Sequence, residues 1–382
     1  MVYRIEKWML TLSLLALALL AMGGCRLGWE TIVVAPDGSE FPVDRARLQD
    51  LEVFDEGSGV PVDRLLWQAG HTVIERVVVT DSGGERHEFD WPAVADDAWW
   101  RQDGKVVING QEIAAMRIEA TPSPRLAGLE ARITDLAATA SSAVELPAPA
   151  ESVGRVLDPR QAPQVLLLFL DGFGYIRYEE AQSAGLIPNL AALGEPMLAL
   201  TAYVPSTKVG SAALLTGAPP EVNGVDGRSI RKTEVETLFD VATAAGLEVV
   251  SVEGEALSFN LRNTEVQLSG DRDGDGRTDD NVLANALAVL DEGMPDLFYV
   301  HFHGIDDAGH TYGPGAPEEE ATIQYVDGAV GQLLEALPAE TLVLIFADHG
   351  MHLVQGQERV GNHGHLIERD MLIPIWITQM TD

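Results

Sequence analysis

Asp171, Thr207, Asp306, His310, Asp348, His349 and His363 are the side chains of this 382-residue chain whose types and settings suggest chemistry. Carboxylates and imidazoles are ligands for zinc, with manganese and iron as competitors. Two divalent ions a few ångström apart can clamp the attacking and leaving oxygens of a displacement at phosphorus. Thr207 opens the small-residue stretch Thr207-Lys208-Val209-Gly210-Ser211-Ala212-Ala213. A hydroxyl at the head of such a helix is a candidate nucleophile. Each residue has a plainer reading: Asp171-Gly172 as a turn, Thr207 as a helix cap, Asp306 and His310 as a surface pair at helical spacing. Only convergence of all seven in space accounts for the set at once.

The elements around them are those of an α/β domain. Val165 to Leu170 is a continuous apolar run, as expected of a strand covered on both faces. Leu247 to Val252, Leu297 to Phe302, Leu342 to Phe346 and Leu372 to Ile377 read as further strands. Helices are expected at Ile187–Leu193, Val209–Leu215, Asp280–Leu290 and Pro317–Leu337, the last with Pro in its first turn. Thr233-Glu-Val-Glu236 reads as a capping box ahead of another helix that ends at Gly246. This alternation predicts a mainly parallel sheet flanked by helices. Ligands of such sheets bind beyond the carboxyl ends of the strands. Asp171, Asp306 and Asp348-His349 all follow strand ends.

The formal net charge of −34 excludes a nucleic-acid polymer as the main partner, because phosphate backbones need a basic surface. An anionic substrate would meet a repulsive field unless bound cations reverse it locally. The single cysteine, Cys25, rules out an intrachain disulfide or a thiolate metal site. It follows a basic start (Arg4, Lys7) and the apolar stretch Trp8–Met22. Ala21-Met22-Gly23-Gly24-Cys25 resembles a bacterial lipoprotein signal, which implies lipidation at Cys25, an extracytoplasmic chain in the cell envelope and a membrane tether. An uncleaved anchor is the alternative.

Residues 26–120 are expected to form a small β-rich domain. Its strand-like runs are Thr31–Val34, Thr72–Thr80 and Lys105–Asn109, with Asp-Gly and Gly-Gly turns beside them. His71 and His87 have no spaced partners there, and Trp91, Trp99 and Trp100 read as packing residues. Residues 121–163 are Ala- and Pro-rich and read as a linker with one helix within Leu126–Ala140. The chemistry is assigned to residues 164–382.

Taken in order, Leu170-Asp171-Gly172, Thr207 to Gly217, Asp306-x-x-Gly309-His310-x-x-Gly313-Pro314, Ala347-Asp348-His349-Gly350-Met351 and Gly361-Asn362-His363-Gly364 resemble the alkaline phosphatase superfamily. Within it they are most similar to the type I phosphodiesterase/nucleotide pyrophosphatase family. The resemblance spans roughly residues 164 to 377. It implies that Asp306, His310 and His363 hold one metal ion, and that Asp171, Asp348 and His349 hold the other. Thr207 would coordinate the second ion and attack phosphorus, forming a phosphothreonine. The implied activity is hydrolysis of a small phosphorylated substrate with two divalent ions, zinc foremost. A phosphotransferase or phosphomonoesterase of the same fold is the alternative, and a non-catalytic surface-binding lipoprotein a further one. The phosphodiesterase branch has Asn three residues after its nucleophile, where this chain has Gly210. Lys208 is a candidate phosphate contact. Asp307, His301, His303, His352 and His365 fall outside the family's ligand pattern.

Asp271-Arg-Asp273-Gly-Asp275-Gly276-Arg277-Thr-Asp279 follows the first part of a calcium loop. Asp271, Asp273, Asp275, Asp279 and the Arg277 carbonyl are its candidate ligands. Val282 stands where an EF-hand has glutamate. A solvated acidic turn is the plainer reading.

Overall fold

The computed structural model describes residues 29–49, 51, 59–227, 229–254, 257, 259–271, 277–354 and 359–381. Cys25 and its signal-like segment lie outside them, as do Asp273 and Asp275. Among the described residues no helix is long and apolar enough to cross a membrane. The chain divides into two units, one formed by residues 1–70, 77–89 and 97–120, the other by 71–76, 90–96 and 121–382.

The first unit is β-rich. Among the described residues, Glu40–Asp44, Glu30–Val34, Ala115–Pro122, Ile74–Asp81 and Arg86–Asp90 form a five-stranded sheet in that order. Val60–Pro61, Ala98–Trp100, Val106–Ile108 and Gln111–Ile113 form a four-stranded one. Strand Ile74–Asp81 buries Val77 and Val79, and Trp100 is fully buried.

The second unit is built on an eight-stranded sheet. Its strands are β1 (Ala131–Arg132), β2 (Val165–Leu170), β3 (Met197–Leu200), β4 (Val249–Glu253), β5 (Glu265–Leu268), β6 (Leu297–Phe302), β7 (Leu342–Phe346) and β8 (Leu372–Gln379). They lie in the order β1-β3-β8-β7-β2-β6-β4-β5. All neighbours are parallel except β8, which is antiparallel to both β3 and β7. The central strands β2, β6 and β7 are buried at every position, which is why their sequences are unbroken apolar runs. The helices that matter below are α1 (Asp135–Ala143), α2 (Tyr175–Ser183), α3 (Thr207–Thr216), α4 (Leu238–Ala244), α5 (Asp279–Glu292), α6 (Gly304–Tyr312) and α7 (Pro317–Ala336).

Three local expectations differ from the structure. Residues 121–163 are not a free connector: β1 pairs with β3, and α1 is buried along nearly its whole length. Its alanines have no long side chains to hold neighbours away, so this stretch packs into the core. The helix within it runs from Asp135 to Ala143. The capping box lies one turn later than Thr233-Glu236: Thr237 accepts from the Asp240 N–H while the Asp240 carboxylate accepts from the Thr237 N–H. Finally, Met197–Leu200 is a strand at one side of the sheet. Four residues are too few to show a period, and pairing with β8 makes them a strand.

A buried ion pair fixes the helix pair next to the sheet's carboxyl edge. Arg177 on α2 donates to Glu319 in the first turn of α7, with Nε–Oε1 at 2.8 Å, and both side chains are buried. Glu319 also accepts from the Gly315 N–H, which closes the turn between α6 and α7. Truncating one partner would leave the other charge buried and uncompensated. Glu319→Ala is expected to destabilise the protein by about 3–5 kcal/mol, and Arg177→Met/Glu319→Leu by much less. Urea denaturation of the two variants beside wild type measures this, and equal losses would contradict it.

Candidate metal centre

The candidate ligands meet because three adjacent strands end level with one another. Pairing aligns Leu170 of β2 with Phe302 of β6, and Phe169 with Phe346 of β7. The residues that follow, Asp171, His303 and Asp348, therefore emerge along one edge. The Asp171 N–H continues the ladder to the Phe302 carbonyl at 3.0 Å. α6 starts just after β6 and carries Asp306 in its first turn and His310 in its last. α3 begins at Thr207 and offers its hydroxyl and the positive end of its dipole to the same edge.

Two glycines permit the close approach. Gly172 has φ of 74°, and a Cβ there would lie 2.9 Å from the Asp306 Cβ. At Gly210 a Cβ would sit 2.7 Å from the Asp348 Cβ. Helix α3 thus rests directly on the backbone of a candidate ligand, and no side chain fits there. The related family's asparagine at this position has no room in this chain.

Two carboxylate–imidazole groups result. In one, His310 Nε2 lies 3.4 Å from Asp306 Oδ2, and His363 Nε2 lies 3.9 Å from Asp306 Oδ1. In the other, His349 Nε2 lies 3.2 Å from Asp348 Oδ2 and 3.5 Å from Asp171 Oδ1. The rings of His349 and His363 stack at 3.9 Å, which joins the groups. Thr207 Oγ1 stands 3.4 Å from Asp171 Oδ1 and 3.5 Å from His349 Nε2. All seven residues singled out in the sequence are therefore brought together.

Their hydrogen bonds decide what they can bind. His310 Nδ1 donates to the Gly361 carbonyl, His349 Nδ1 to the Gly350 carbonyl and His363 Nδ1 to the Pro205 carbonyl, at 2.8, 3.0 and 2.8 Å. A carbonyl can only accept, so each neutral imidazole carries its proton on Nδ1 and a lone pair on Nε2. Those of His349 and His363 face carboxylate oxygens, and that of His310 lies 3.4 Å from Asp306 Oδ2 and 3.5 Å from Arg359 Nη1. Acceptor against acceptor at this range repels unless a cation lies among them. Among the described residues Asp348 Oδ2 receives no hydrogen bond although it is buried. Burial, and then the charges of Asp171 and Asp306, push the Asp348 carboxyl well above its ordinary range. Ligand atoms about 2.1 Å from a tetrahedral ion stand roughly 3.4 Å apart, which matches these separations. The residues fit two divalent ions. Asp306, His310 and His363 would hold one; Asp171, Asp348, His349 and the Thr207 hydroxyl would hold the other.

A layer behind Asp171 was not legible as such in the sequence. His301 Nε2 lies 3.2 Å and His303 Nδ1 3.5 Å from Asp171 Oδ2. Glu253, at the end of β4, lies 2.9 Å from His301 Nδ1. Burial opposes ionisation of Asp171, but hydrogen bonds from His301 and His303 hold its carboxyl well below the usual range. Burial likewise opposes the charge on His303, yet Asp171 and Glu253 push its imidazole well above the usual range. The signals that could have found this layer were the alternation His301-Phe-His303 at strand period and a carboxylate ending the neighbouring strand. Asp307 is exposed and does not join either group. It lines a separate cavity of about 510 Å³ beside α6, together with Thr278, Tyr312 and Tyr325. Lys208 sits half-buried next to Thr207.

The calcium-loop residues behave separately. Asp271 and Arg277 are exposed. Asp279 turns inward, and its two oxygens accept from the His303 and Gly304 N–H groups, each at 3.0 Å. It thus caps α6, the helix that carries Asp306 and His310.

An α/β sheet with paired Asp/His groups beyond its carboxyl edge and a threonine at a helix start is the arrangement that the resemblance to the alkaline phosphatase superfamily implies. Residues 250–379 match the family model described as type I phosphodiesterase / nucleotide pyrophosphatase. It is 34% identical over 107 residues to the catalytic subunit of GPI ethanolamine phosphate transferase 3 of Mus musculus, a match that covers 28% of this chain and 8% of the relative. It is 27% identical over 221 residues to an uncharacterized pyrophosphatase/phosphodiesterase of Schizosaccharomyces pombe, covering 49% of this chain and 44% of the relative. The chain thus spans less than half the length of either. Among solved structures, phosphonoacetate hydrolase from Sinorhizobium meliloti 1021 aligns with a TM-score of 0.40 and 22% identity, over 54% of this chain and 58% of that one.

Two consequences are measurable. Gly210→Ala is expected to push α3 off Asp348, lowering bound metal and the melting temperature together; unchanged metal content by mass spectrometry would contradict the close packing. Burial raises the Glu253 carboxyl, but the charges and hydrogen bonds of His301 and His303 outweigh it and hold the group at about 2 against an ordinary 4.5. A depressed folded pKa contributes stability that is complete above the unfolded value and lost as pH falls through the folded one. The stability gap between wild type and Glu253→Gln should therefore be full above about pH 4.5 and shrink as pH falls toward about 2. Urea midpoints across that range test it, and a gap independent of pH would exclude the pairing.

Proposed function

We propose that the chain is a two-metal phosphoester hydrolase of the phosphodiesterase/pyrophosphatase type that reacts through Thr207. The observation that carries this is the position of the Thr207 hydroxyl against Asp171 and His349, at the start of α3. Bound divalent ions would supply Lewis acidity and charge neutralisation at that spot. The rest follows from the chain's own groups. The helix dipole of α3 favours negative charge on Thr207 Oγ1 and on a phosphate placed before it. The Nδ1 bonds to backbone carbonyls keep His310, His349 and His363 in one orientation and one tautomer. His301 and His303 keep Asp171 ionised. Attack by Thr207 Oγ1 on phosphorus forms a phosphothreonine and expels the alcohol or phosphate leaving group. Water then cleaves the phosphothreonine and restores the hydroxyl. Lys208, adjacent to the nucleophile, is proposed to contact the phosphate. The strong negative charge of the whole chain makes a metal-loaded centre the place where an anionic substrate is attracted.

A second reading is transfer of the phosphoryl group to an alcohol. The 34% identity to a protein named an ethanolamine phosphate transferase favours it. The extracytoplasmic, lipid-anchored location is proposed from residues 1–25, and the calcium loop from the Asp spacing at 271–279.

Thr207→Ala is expected to lower turnover of an aryl phosphate diester by about 10³-fold or more while metal content stays the same. Thr207→Ser should retain part of the activity. Full activity of the alanine variant would remove Thr207 as nucleophile. In the same assay with added ethanolamine, a mixed diester carrying ethanolamine in place of the aryl phosphate monoester would establish transfer over hydrolysis.

A further inference from the structure

A second His/Asp cluster lies in the same unit, outside the candidate centre, and the function proposed above does not use it. Asp96 Oδ1 and Oδ2 lie 3.2 and 3.1 Å from His352 Nε2, and Asp96 Oδ1 lies 3.1 Å from His365 Nε2. Behind His352, its Nδ1 stands 2.8 Å from Asp370 Oδ1. Asp370 Oδ2 accepts from the Gly364 and His365 N–H groups at 2.9 Å each. His352 and Asp370 are buried, while Asp96 and His365 are partly open to solvent.

His352 is oriented through Nδ1, as the imidazoles of the candidate centre are. A carboxylate accepts, so the bond to Asp370 places a proton on His352 Nδ1 and directs Nε2 at Asp96, where a metal ion would displace the proton that an imidazolium shares with that carboxylate. A carboxylate beyond a histidine, with the far nitrogen directed at a third group, is the arrangement that orients metal-bound imidazoles. One atom each of Asp96, His352 and His365 come within 4.8 Å of one another. The distances of about 3.1 Å from Asp96 to each histidine suit ligands about 2.0–2.2 Å from a common ion. The partial exposure of Asp96 and His365 gives an ion a route in and leaves room for a water ligand.

We propose that Asp96, His352 and His365 bind a third transition-metal ion of the zinc class, separate from the candidate centre, with Asp370 orienting His352. The position suggests what the ion does. His352 lies three residues after His349, and its strand residue pairs antiparallel with Asn362, next to His363. His365 follows His363 by two residues. An ion held by His352 and His365 cross-links the two chain segments that present His349 and His363, and ties both to the segment carrying Asp96. It is a brace for the centre, and it takes no part in the reaction.

The test uses the full chain loaded with zinc in the presence of excess calcium and then desalted. Mass spectrometry of bound metal should count one zinc fewer per chain in Asp96→Asn and in His365→Gln than in wild type. The same decrement should appear when Asp96→Asn is added to an Asp306→Ala/His363→Ala background, which separates this site from the candidate centre. Anomalous diffraction at the zinc edge on wild-type crystals avoids any dependence on how the variants fold. A peak among Asp96, His352 and His365 supports the proposal. Peaks at the candidate centre without one here, or zinc counts unchanged by both substitutions, would overturn it and leave the cluster as a proton-bridged ion pair.

Discussion

Three carboxylates set against three imidazole Nε2 atoms repel unless a proton or a bound cation lies among them. This constraint governs the second unit. Asp171, Asp306 and Asp348 come from the ends of three adjacent elements; backbone N–H groups hold Asp348, and His301 and His303 hold Asp171. Lys and Arg are absent from the set. The protein instead fixes every Nε2 lone pair by tying Nδ1 to a carbonyl, which is costly geometry unless cations fill it. The electrostatic strain visible at Asp348, whose carboxyl burial and neighbouring charges drive upward, is the signature of a site shaped around ions.

The fold sustains that arrangement through close approach and rigidity. Level strand ends set Asp171 and Asp348 side by side, and the glycines at 172 and 210 let α6 and α3 reach them. Asp279 caps α6 from the first residue of α5, and the Arg177–Glu319 pair closes the turn after it. Backbone carbonyls at Pro205, Gly350 and Gly361 complete the positioning. The centre therefore depends on segments spread over most of the unit, including the 121–163 stretch whose alanines pack under α3 and the sheet.

The cluster of Asp96, His352 and His365 extends the same logic outward. It sits where the stretches bearing His349 and His363 leave the centre, and it repeats the device of an imidazole oriented from behind. A chain this acidic has good physical reason to use cations as structural cross-links: each one relieves local repulsion while joining segments that no disulfide can join, since Cys25 has no partner.

Strand and helix positions in the second unit were readable because buried strands are continuous apolar runs and long helices carry their own periodic faces. Val165–Leu170, Leu297–Phe302 and Leu342–Phe346 match residue for residue. Motif order along the chain was enough to nominate the seven central residues and to group them. Short elements escaped, since Met197–Leu200 and Ala131–Arg132 become strands only by pairing. Partners far apart in sequence escaped as well. Nothing local connects Glu253 with His301, or Asp96 with His352, 256 residues away. The amino-acid sequence by itself determined which side chains could do chemistry and at which strand ends they stand. Tertiary structure alone decided which nitrogen of each histidine faces the site, why Gly210 can bear no side chain, and which remaining histidines gather around a second carboxylate. Those outcomes depend on distances between segments, and a linear pattern does not contain them.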